Sequence, residues 1–341
     1  MNNNENNILL EVNNLKKYFP VRKGVLKRVK GHVHAVDDVN FFIRDGETLG
    51  LVGESGCGKS SVGRCIVRLI EPTSGEIQFR MKDDYHDITK LDNEGLAEAR
   101  RNIQIVFQDP LSSLDPRMNA GNIIGEPLKA NAGYNRKQRN DRVAELLEQV
   151  GLSANQMNRY PHEFSGGQKQ RIGIARSLAL NPDLVICDEP VAALDVSVQA
   201  QILNLLEDLQ DKFGLTYLFV AHDLSVVEHV SDRVMVMYLG KIVEMAASEV
   251  LYKKPHHPYT EALMHSIPVG DPKSQKERQP LQGGVPDPSD PPSGCYFHPR
   301  CPYKQKICEE QQPELKPRQD NLDHYSACHF ADSLDLDGFY V

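Results

Sequence analysis

No stretch of this 341-residue chain stays apolar for the roughly 20 residues that a membrane-crossing helix needs. The greasiest runs, Leu184–Cys187 and Tyr217–Ala221, have strand length, so any role at a membrane has to be peripheral. Tryptophan is absent, which excludes nothing. No period repeats along the chain, which argues against solenoids and propellers, and no sustained heptads mark a long coiled coil. Met1–Asn7 are polar and Asn-rich, without the basic start, apolar middle and small-residue cleavage site of a secretion signal. The expectation is a disordered start and a chain that stays in the cytoplasm. Disulfides do not persist there, so the seven cysteines read as core residues, reactive thiols or metal ligands. Positive charge is also in short supply. A net charge of −8 disfavours nucleic acid as the main partner. The local exception, Arg22, Lys23, Lys27, Arg28 and Lys30, reads first as a solvated loop and second as a headgroup or partner contact.

Hydrophobic residues at 40% and charged residues at 25% are ordinary for a soluble globular chain, and the length calls for one large domain plus an appendage. From about Leu9 to Ser248, short apolar β-branched runs alternate with amphipathic stretches, the pattern of parallel strands joined by helices. From Lys253 to Pro292 the chain is proline-rich and carries Gly283-Gly284, which leaves little room for long helices. Cys295, Cys301, Cys308 and Cys328 follow, whereas Cys57, Cys65 and Cys187 are scattered.

The segment Gly53-Glu54-Ser55-Gly56-Cys57-Gly58-Lys59-Ser60 fits the Walker A pattern in full, and Ser61 follows it. Its glycines let backbone N–H groups turn inward around phosphates, Lys59 brings positive charge to the β- and γ-phosphates, and Ser60 offers a hydroxyl to Mg²⁺. The context agrees. Strand Leu49–Val52 precedes it, and Val62, Cys65, Ile66, Leu69 and Ile70 recur at helical spacing after it, so the loop sits at a helix N-terminus. A second strand, Leu184–Cys187, is apolar throughout, as strands buried on both faces are, and ends in Asp188-Glu189. Asp188 suits Mg²⁺ coordination; Glu189 suits polarising the water that attacks the γ-phosphate. Alone such a pair reads as a helix cap; beside Walker A the functional reading wins. Phe164-Ser165-Gly166-Gly167-Gln168 opens another helix, with Ile172, Ala175 and Ala179 at helical spacing. That is a second anion site, best explained as serving the nucleotide of another subunit.

Here the sequence resembles the ATP-binding cassette (ABC) family, whose signature Leu-Ser-Gly-Gly-Gln it matches except for Phe164. The resemblance covers about residues 8 to 265 and supplies further motifs in order. It implies that Phe19 stacks on adenine, with neighbouring Tyr18 as the alternative. It implies that Gln108 is the Q-loop glutamine near Mg²⁺ or the attacking water, that His222 is the switch histidine at the γ-phosphate, and that Asp195 lies in the D-loop. There Ala192 replaces the family's usual serine, which puts one intersubunit hydrogen bond in doubt. The fold implied is an α/β P-loop NTPase of ABC type, with a parallel core sheet, an antiparallel edge sheet and a helical subdomain around residues 110–170. The nucleotide-binding domain then spans residues 8–255 and a cysteine-bearing extension spans 256–341. Two such domains close head to tail, ATP lying between Walker A of one and Ser165, Gly166, Gly167, Gln168 and Asp195 of the other.

The runs Asp109–Arg117 and His257–Leu263 look like the oligopeptide/dipeptide importer branch, though neither has chemistry derivable from its residues. The branch implies ATP and Mg²⁺ as cofactors, peptide cargo, a second ATPase subunit, two transmembrane permease subunits, an extracytoplasmic binding protein, and a place on the cytoplasmic face of the membrane. Nickel chelates and sugars are the cargo alternatives. A soluble ABC ATPase of DNA or ribosome function is the rival reading, set aside because one cassette and no coiled coil are present. The branch also implies a 4Fe-4S cluster on Cys295, Cys301, Cys308 and Cys328. Zinc is second, because the short cysteine spacing of its structural sites is missing, and unligated thiols are third. His298, His324 and His329 could each replace one ligand but read first as surface polar residues.

Overall fold

Strands and helices follow one another as the alternating patterns require. The computed structural model describes residues 7–23, 28–109, 113–131, 133–266, 283–319 and 321–338. The expected disorder of residues 1–6, together with Lys27, Pro110 to Ser112 and residues 267–282 of the proline-rich stretch, lies outside the described residues. The order is β1 (Ile8–Lys23), β2 (Arg28–Arg44), β3 (Thr48–Val52), α1 (Lys59–Ile66), β4 (Ser74–Met81), β5 (Asp84–Asp87), α2 (Asn93–Asn102) and β6 (Ile103–Val106). Then come α3 (Ala120–Asn131), α4 (Arg136–Gln149), α5 (Gly166–Ser177), β7 (Leu184–Asp188), α6 (Val196–Phe213), β8 (Thr216–Ala221), α7 (Leu224–Val230), β9 (Arg233–Tyr238) and β10 (Lys241–Ala247). The C-terminal part adds α8 (Ser248–Lys253), α9 (Pro258–His265), α10 (Lys306–Glu310), β11 (Lys316–Pro317) and β12 (Tyr325–Ser326). This is the α/β class expected.

The residues gather into two compact units. The first holds Met1–Leu10, Ile43–Thr48 and Gln78–Val220. Its strands β6, β7 and β8 run parallel, with Ile105 opposite Ile186 and Ile186 opposite Leu218. Every residue of β7 and β8 is buried, which is why both read as unbroken apolar runs rather than alternating ones. Helices α3 and α4 belong to this unit, and α4 begins with a capping box between Asn135 and Gln138.

The second unit holds Glu11–Phe42, Leu49–Ile77 and Ala221–Val341. In it β3 runs parallel to β9, Leu51 opposite Met235, and β9, β10, β12 and β11 continue antiparallel. The C-terminal residues therefore extend the same sheet rather than standing alone. Helix α1 is shorter than its apolar spacing suggests. It ends at Ile66 because Arg68 turns left-handed (φ 51°) and the amides of Leu69 and Ile70 both return to the Arg64 carbonyl. Leu69, expected on the helix's apolar face, is 51% exposed.

Candidate functional site: a phosphate loop, a carboxylate strand end and a signature helix

In the second unit, fully buried β3 delivers the chain into the loop Gly53–Gly58 and then α1. Gly58 is the N-cap at φ 113°, and a Cβ there would collide with the Ala35 carbonyl oxygen, so only glycine fits. No side chain caps α1, and its start presents backbone N–H groups and the positive end of the helix dipole. Lys59 is buried, its Nζ donating to the carbonyls of Gly53 (2.8 Å) and Glu54 (3.1 Å), while Ser55 and Gly56 are exposed at the loop's rim. Ser60 and Ser61, half-buried, lie on the first turn of α1. Burial raises the Cys57 thiol and pushes Cys65 and Cys187 up to about 12, so these three buried thiols are protonated.

The same unit separates the two aromatic candidates near the N-terminus. Tyr18 stacks on His34 (centroids 4.2 Å apart) and donates its hydroxyl to Asp37 at 2.5 Å. Burial alone would raise Asp37, but hydrogen bonds from Tyr18 and Lys241 and the Lys241 charge outweigh it and hold the carboxyl below its ordinary value. Phe19 is 37% exposed, with Lys17 Nζ 4.9 Å from its ring centroid. Phe19 is thus an exposed ring, whereas Tyr18 is tied to His34 and Asp37. His222 is exposed directly after β8.

The first unit carries the carboxylates. Asp188 ends β7 almost fully buried. Glu189 adopts φ 48°, a left-handed conformation costly for a residue with a Cβ, and its amide donates to the Val220 carbonyl at 2.9 Å. Gln108, just beyond β6, donates from Nε2 to Glu189 Oε2 at 2.9 Å. The parallel strands place the two side chains at one end of the sheet, where α/β proteins bind ligands. In the same unit Ser165 and Gln168 form a capping box at the start of α5: Gln168 N–H donates to Ser165 Oγ (3.3 Å) and Ser165 N–H to Gln168 Oε1 (3.0 Å). Phe164 is buried, so its departure from the usual leucine is a packing change. Gly166 is exposed and Gly167 half-buried. Asp195 caps α6, accepting from Ser197 Oγ (2.7 Å) and Val198 N–H (3.0 Å).

In the C-terminal extension, Cys295, Cys301, Cys308 and Cys328 all line one small cavity of about 20 Å³, with His298 and His329 beside them. Burial pushes Cys295 and Cys328 up to about 11 and Cys301 to about 12, and the neighbouring thiols add to each shift. Phe330 N–H points at Cys328 Sγ (3.4 Å). The donor set suits a thiolate-bound metal. The room is that of roughly one water molecule, however, and among the described residues no group of three or more His, Cys, Asp or Glu stands arranged to hold a metal ion. His324 is not at this cavity. It is fully buried, with Nε2 2.7 Å from Glu244 Oε1, contrary to the surface position expected.

Sequence comparison matches residues 36–192 to the ABC transporter family and residues 243–308 to the C-terminal region of oligopeptide/dipeptide transporters. The chain is 54% identical to the oligopeptide transport ATP-binding protein AppF of Bacillus subtilis, over 94% of this chain and 97% of that one. It belongs to the ATP-binding subunits of the oligopeptide/dipeptide ABC transporter family. Another relative, the dipeptide transport ATP-binding protein DppF of Haemophilus influenzae, is 49% identical over 93% of this chain and 95% of its own. Among solved structures, a dimeric post-hydrolysis state of the ATP-binding cassette MJ0796 bound to ADP and Pi superposes with a TM-score of 0.61 at 30% identity, covering 70% of this chain and 99% of that one. This ABC subunit is accordingly an ATPase, and no helix among its described residues is long and apolar enough to cross a membrane.

Two branch segments that had no derivable chemistry acquire local roles. Glu244, fully buried on β10, accepts the amides of His256 (2.5 Å) and His257 (3.1 Å), and His257 Nδ1 then caps α9 by accepting from Tyr259 N–H (3.1 Å). Asp115 folds back on Arg117, accepting from its amide, Nε and Nη2 at 2.9, 3.0 and 2.8 Å, and these bonds pull the carboxyl down to about 2. Sequence reasoning missed Glu244 because an isolated glutamate in a strand gives no local signal.

Proposed function

We propose that this subunit binds MgATP at Gly53, Ser55, Gly56, Cys57, Gly58, Lys59, Ser60 and Ser61, hydrolyses it with Glu189, and so drives peptide import through permease partners. The carrying observation is the 2.9 Å hydrogen bond from Gln108 to Glu189, which orients a carboxylate already held in a strained backbone position. Lys59 and the start of α1 hold the phosphates, and Ser60, Gln108 and Asp188 are the residues that would hold Mg²⁺, which would supply charge neutralisation at the phosphates. Glu189 takes the proton of the attacking water, His222 contacts the γ-phosphate, and Phe19 packs on the base. Ser165, Gly166, Gly167, Gln168 and Asp195 act in trans on nucleotide held by a second ATPase subunit. Closure is the power stroke and hydrolysis resets it. Peptide cargo is supported by the names of two relatives, an oligopeptide and a dipeptide transport ATP-binding protein; two permeases, an extracytoplasmic binding protein and a peripheral place on the cytoplasmic membrane face complete the proposal.

Glu189→Gln is the test. In the assembled transporter, turnover should fall by about three orders of magnitude while ATP affinity stays within about twofold, because only the water-orienting carboxylate is lost. Near-normal phosphate release from a transporter whose two ATPase subunits both carry the substitution would refute the role.

The four extension cysteines fit a thiolate-bound metal centre in donor type, and a 4Fe-4S cluster is the reading we adopt, with zinc second. A cluster has to widen the small cavity to enter. Anaerobic protein should then be brown, with about four iron and four sulfide per chain, and any of Cys295, Cys301, Cys308 or Cys328→Ser should lose them. Stoichiometric zinc without iron would replace this assignment, and absence of both would end it.

A further inference from the structure

The second residue of the phosphate loop, Glu54, is held at each of its polar groups. Its carbonyl accepts from Lys59 Nζ (3.1 Å) and from Cys57 N–H (3.2 Å), both within the loop. Its other partners come from the C-terminal extension. The Glu54 amide donates to Tyr259 Oη at 2.9 Å, and its two carboxylate oxygens receive Arg300 Nη1 at 2.6 Å and Nη2 at 3.0 Å. This fork-to-carboxylate pair is bidentate, the geometry that arginine alone supplies and that fixes direction as well as charge.

The clasp is built in rather than flexible. Arg300 ends the short 3₁₀ turn His298–Arg300, between Cys295 and Cys301, and its side chain is only 5% exposed. Tyr259 is fully buried on α9. The rings of Tyr238, Tyr259 and Phe297 pack on one another with centroids 4.6 to 5.4 Å apart, and the guanidinium lies 5.8 Å from the Tyr238 ring centroid. A guanidinium buried this far is costly without its carboxylate, so Arg300 and Glu54 hold each other in place. At the loop's base, a Cβ on Gly53 would strike the Met237 carbonyl, so the strand beneath leaves the loop no other seat.

We propose that Arg300, seconded by Tyr259, is a positioning residue for the phosphate loop: the extension sets where Glu54 sits, and through it the backbone of Gly53–Gly58 and the Lys59 ammonium. The extension that marks the oligopeptide/dipeptide branch thus tunes nucleotide affinity directly. This rests on the reading that the loop holds ATP phosphates. It gives the tyrosine of the His257–Leu263 run a job.

The test is equilibrium titration of the purified full-length chain with the fluorescent probe methylanthraniloyl-ATP and Mg²⁺, alongside KM and kcat of the assembled transporter. Arg300→Gln should weaken nucleotide binding about tenfold, the worth of one charge-assisted contact, and raise KM with little change in kcat. Arg300→Lys should recover part of the loss. Glu54→Gln should match Arg300→Gln, and the double variant should be no worse than either single one, because both remove the same clasp. Tyr259→Phe, which removes one oxygen and leaves the ring packing intact, should weaken binding by about two- to threefold and guards against misfolding of the arginine variants. Lys59→Ala is the control for the loop itself. If Lys59→Ala loses affinity while Glu54→Gln and Tyr259→Phe stay within error of the parent, the clasp does no positioning and the proposal fails. Additive losses in the double variant would also overturn it. If Lys59→Ala binds normally, the phosphate-loop reading is at fault instead.

Discussion

Two helices in this chain open on glycines and a serine, and they open differently. Helix α1 starts at Gly58, which has no side chain and leaves the backbone at the helix end uncapped by any. Helix α5 starts at Ser165, whose hydroxyl and the Gln168 amide close on each other's backbone. A serine with glutamine three residues on is a capping box before it is a ligand site, so the second and last polar members of the signature have a local reason to be there. Gly167 has one too, since a Cβ on it would stand 2.5 Å from Val198 Cγ1 of α6. Gly166 has none: it is exposed, and its nearest neighbour beyond the helix is Leu194 Cδ2 at 3.4 Å from where a Cβ would lie. The start of α1 thus leaves its backbone without a side-chain cap, and the start of α5 leaves one small exposed residue with no local packing reason, which the head-to-tail proposal would assign to a second subunit.

Lys59→Ala should have the largest effect, because it strips the one ammonium from the uncapped start. MgATP affinity measured by calorimetry on the isolated chain should fall by about a hundredfold, and turnover with it. Affinity unchanged would mean that the two helix starts are not divided as described. Gly166→Asp comes next. In the head-to-tail proposal a carboxylate at the exposed position should repel phosphate held by a second subunit and spare binding by the chain's own loop. ATP binding by the isolated chain should therefore stay within about twofold, while ATP-driven dimers trapped in the Glu189→Gln background weaken by about tenfold or more on size-exclusion chromatography. If binding by the isolated chain drops as well, α5 serves its own chain and the head-to-tail arrangement is wrong. Ser165→Ala should act mainly on folding, costing about 1 kcal/mol in denaturant titration for the lost cap, with a smaller loss of dimers than Gly166→Asp. A variant of full stability that no longer dimerises would show that the hydroxyl's first duty lies across the interface.

Much of this was legible in sequence because the chemistry is local. Gly53–Ser60 sit within one turn of chain between a strand and a helix, and the buried run before Asp188 announced its own strand. The pairing of Gln108 with Glu189 was half legible: each residue was named, but only the parallel register of β6 and β7 brings them to the same sheet edge. The Arg300 to Glu54 clasp was not legible at all, since it spans 246 residues and neither partner lies in a pattern that predicts the other. Glu244 and His324 failed for the same reason, 80 residues apart and both fully buried. The early end of α1 was hidden differently. Leu69 and Ile70 keep helical spacing, and nothing in Arg68 advertises the left-handed turn that it adopts against its propensity.

The smallest effect separates a neutral cap from a charged one within the first unit. Ser165 caps α5 without titrating, whereas Asp195 caps α6 as a carboxylate, and the bonds from Ser197 Oγ and Val198 N–H hold it below its ordinary value of 3.8. A depressed carboxyl contributes stability that is present above the unfolded value and is lost as pH falls through the lower, folded one. Lowering the pH from about 6 to about 3 should therefore release the Val198 amide while the Gln168 amide, bound to a hydroxyl, is spared. Hydrogen exchange read as the ratio of the two protection factors isolates this from any general acid loosening, which would move both. Asp195→Asn keeps an acceptor but cannot titrate, so its ratio should stay flat across the range. A flat ratio in the parent chain would show that the Asp195 carboxylate does not hold the start of α6, and the contrast between the two caps would reduce to one of residue type alone.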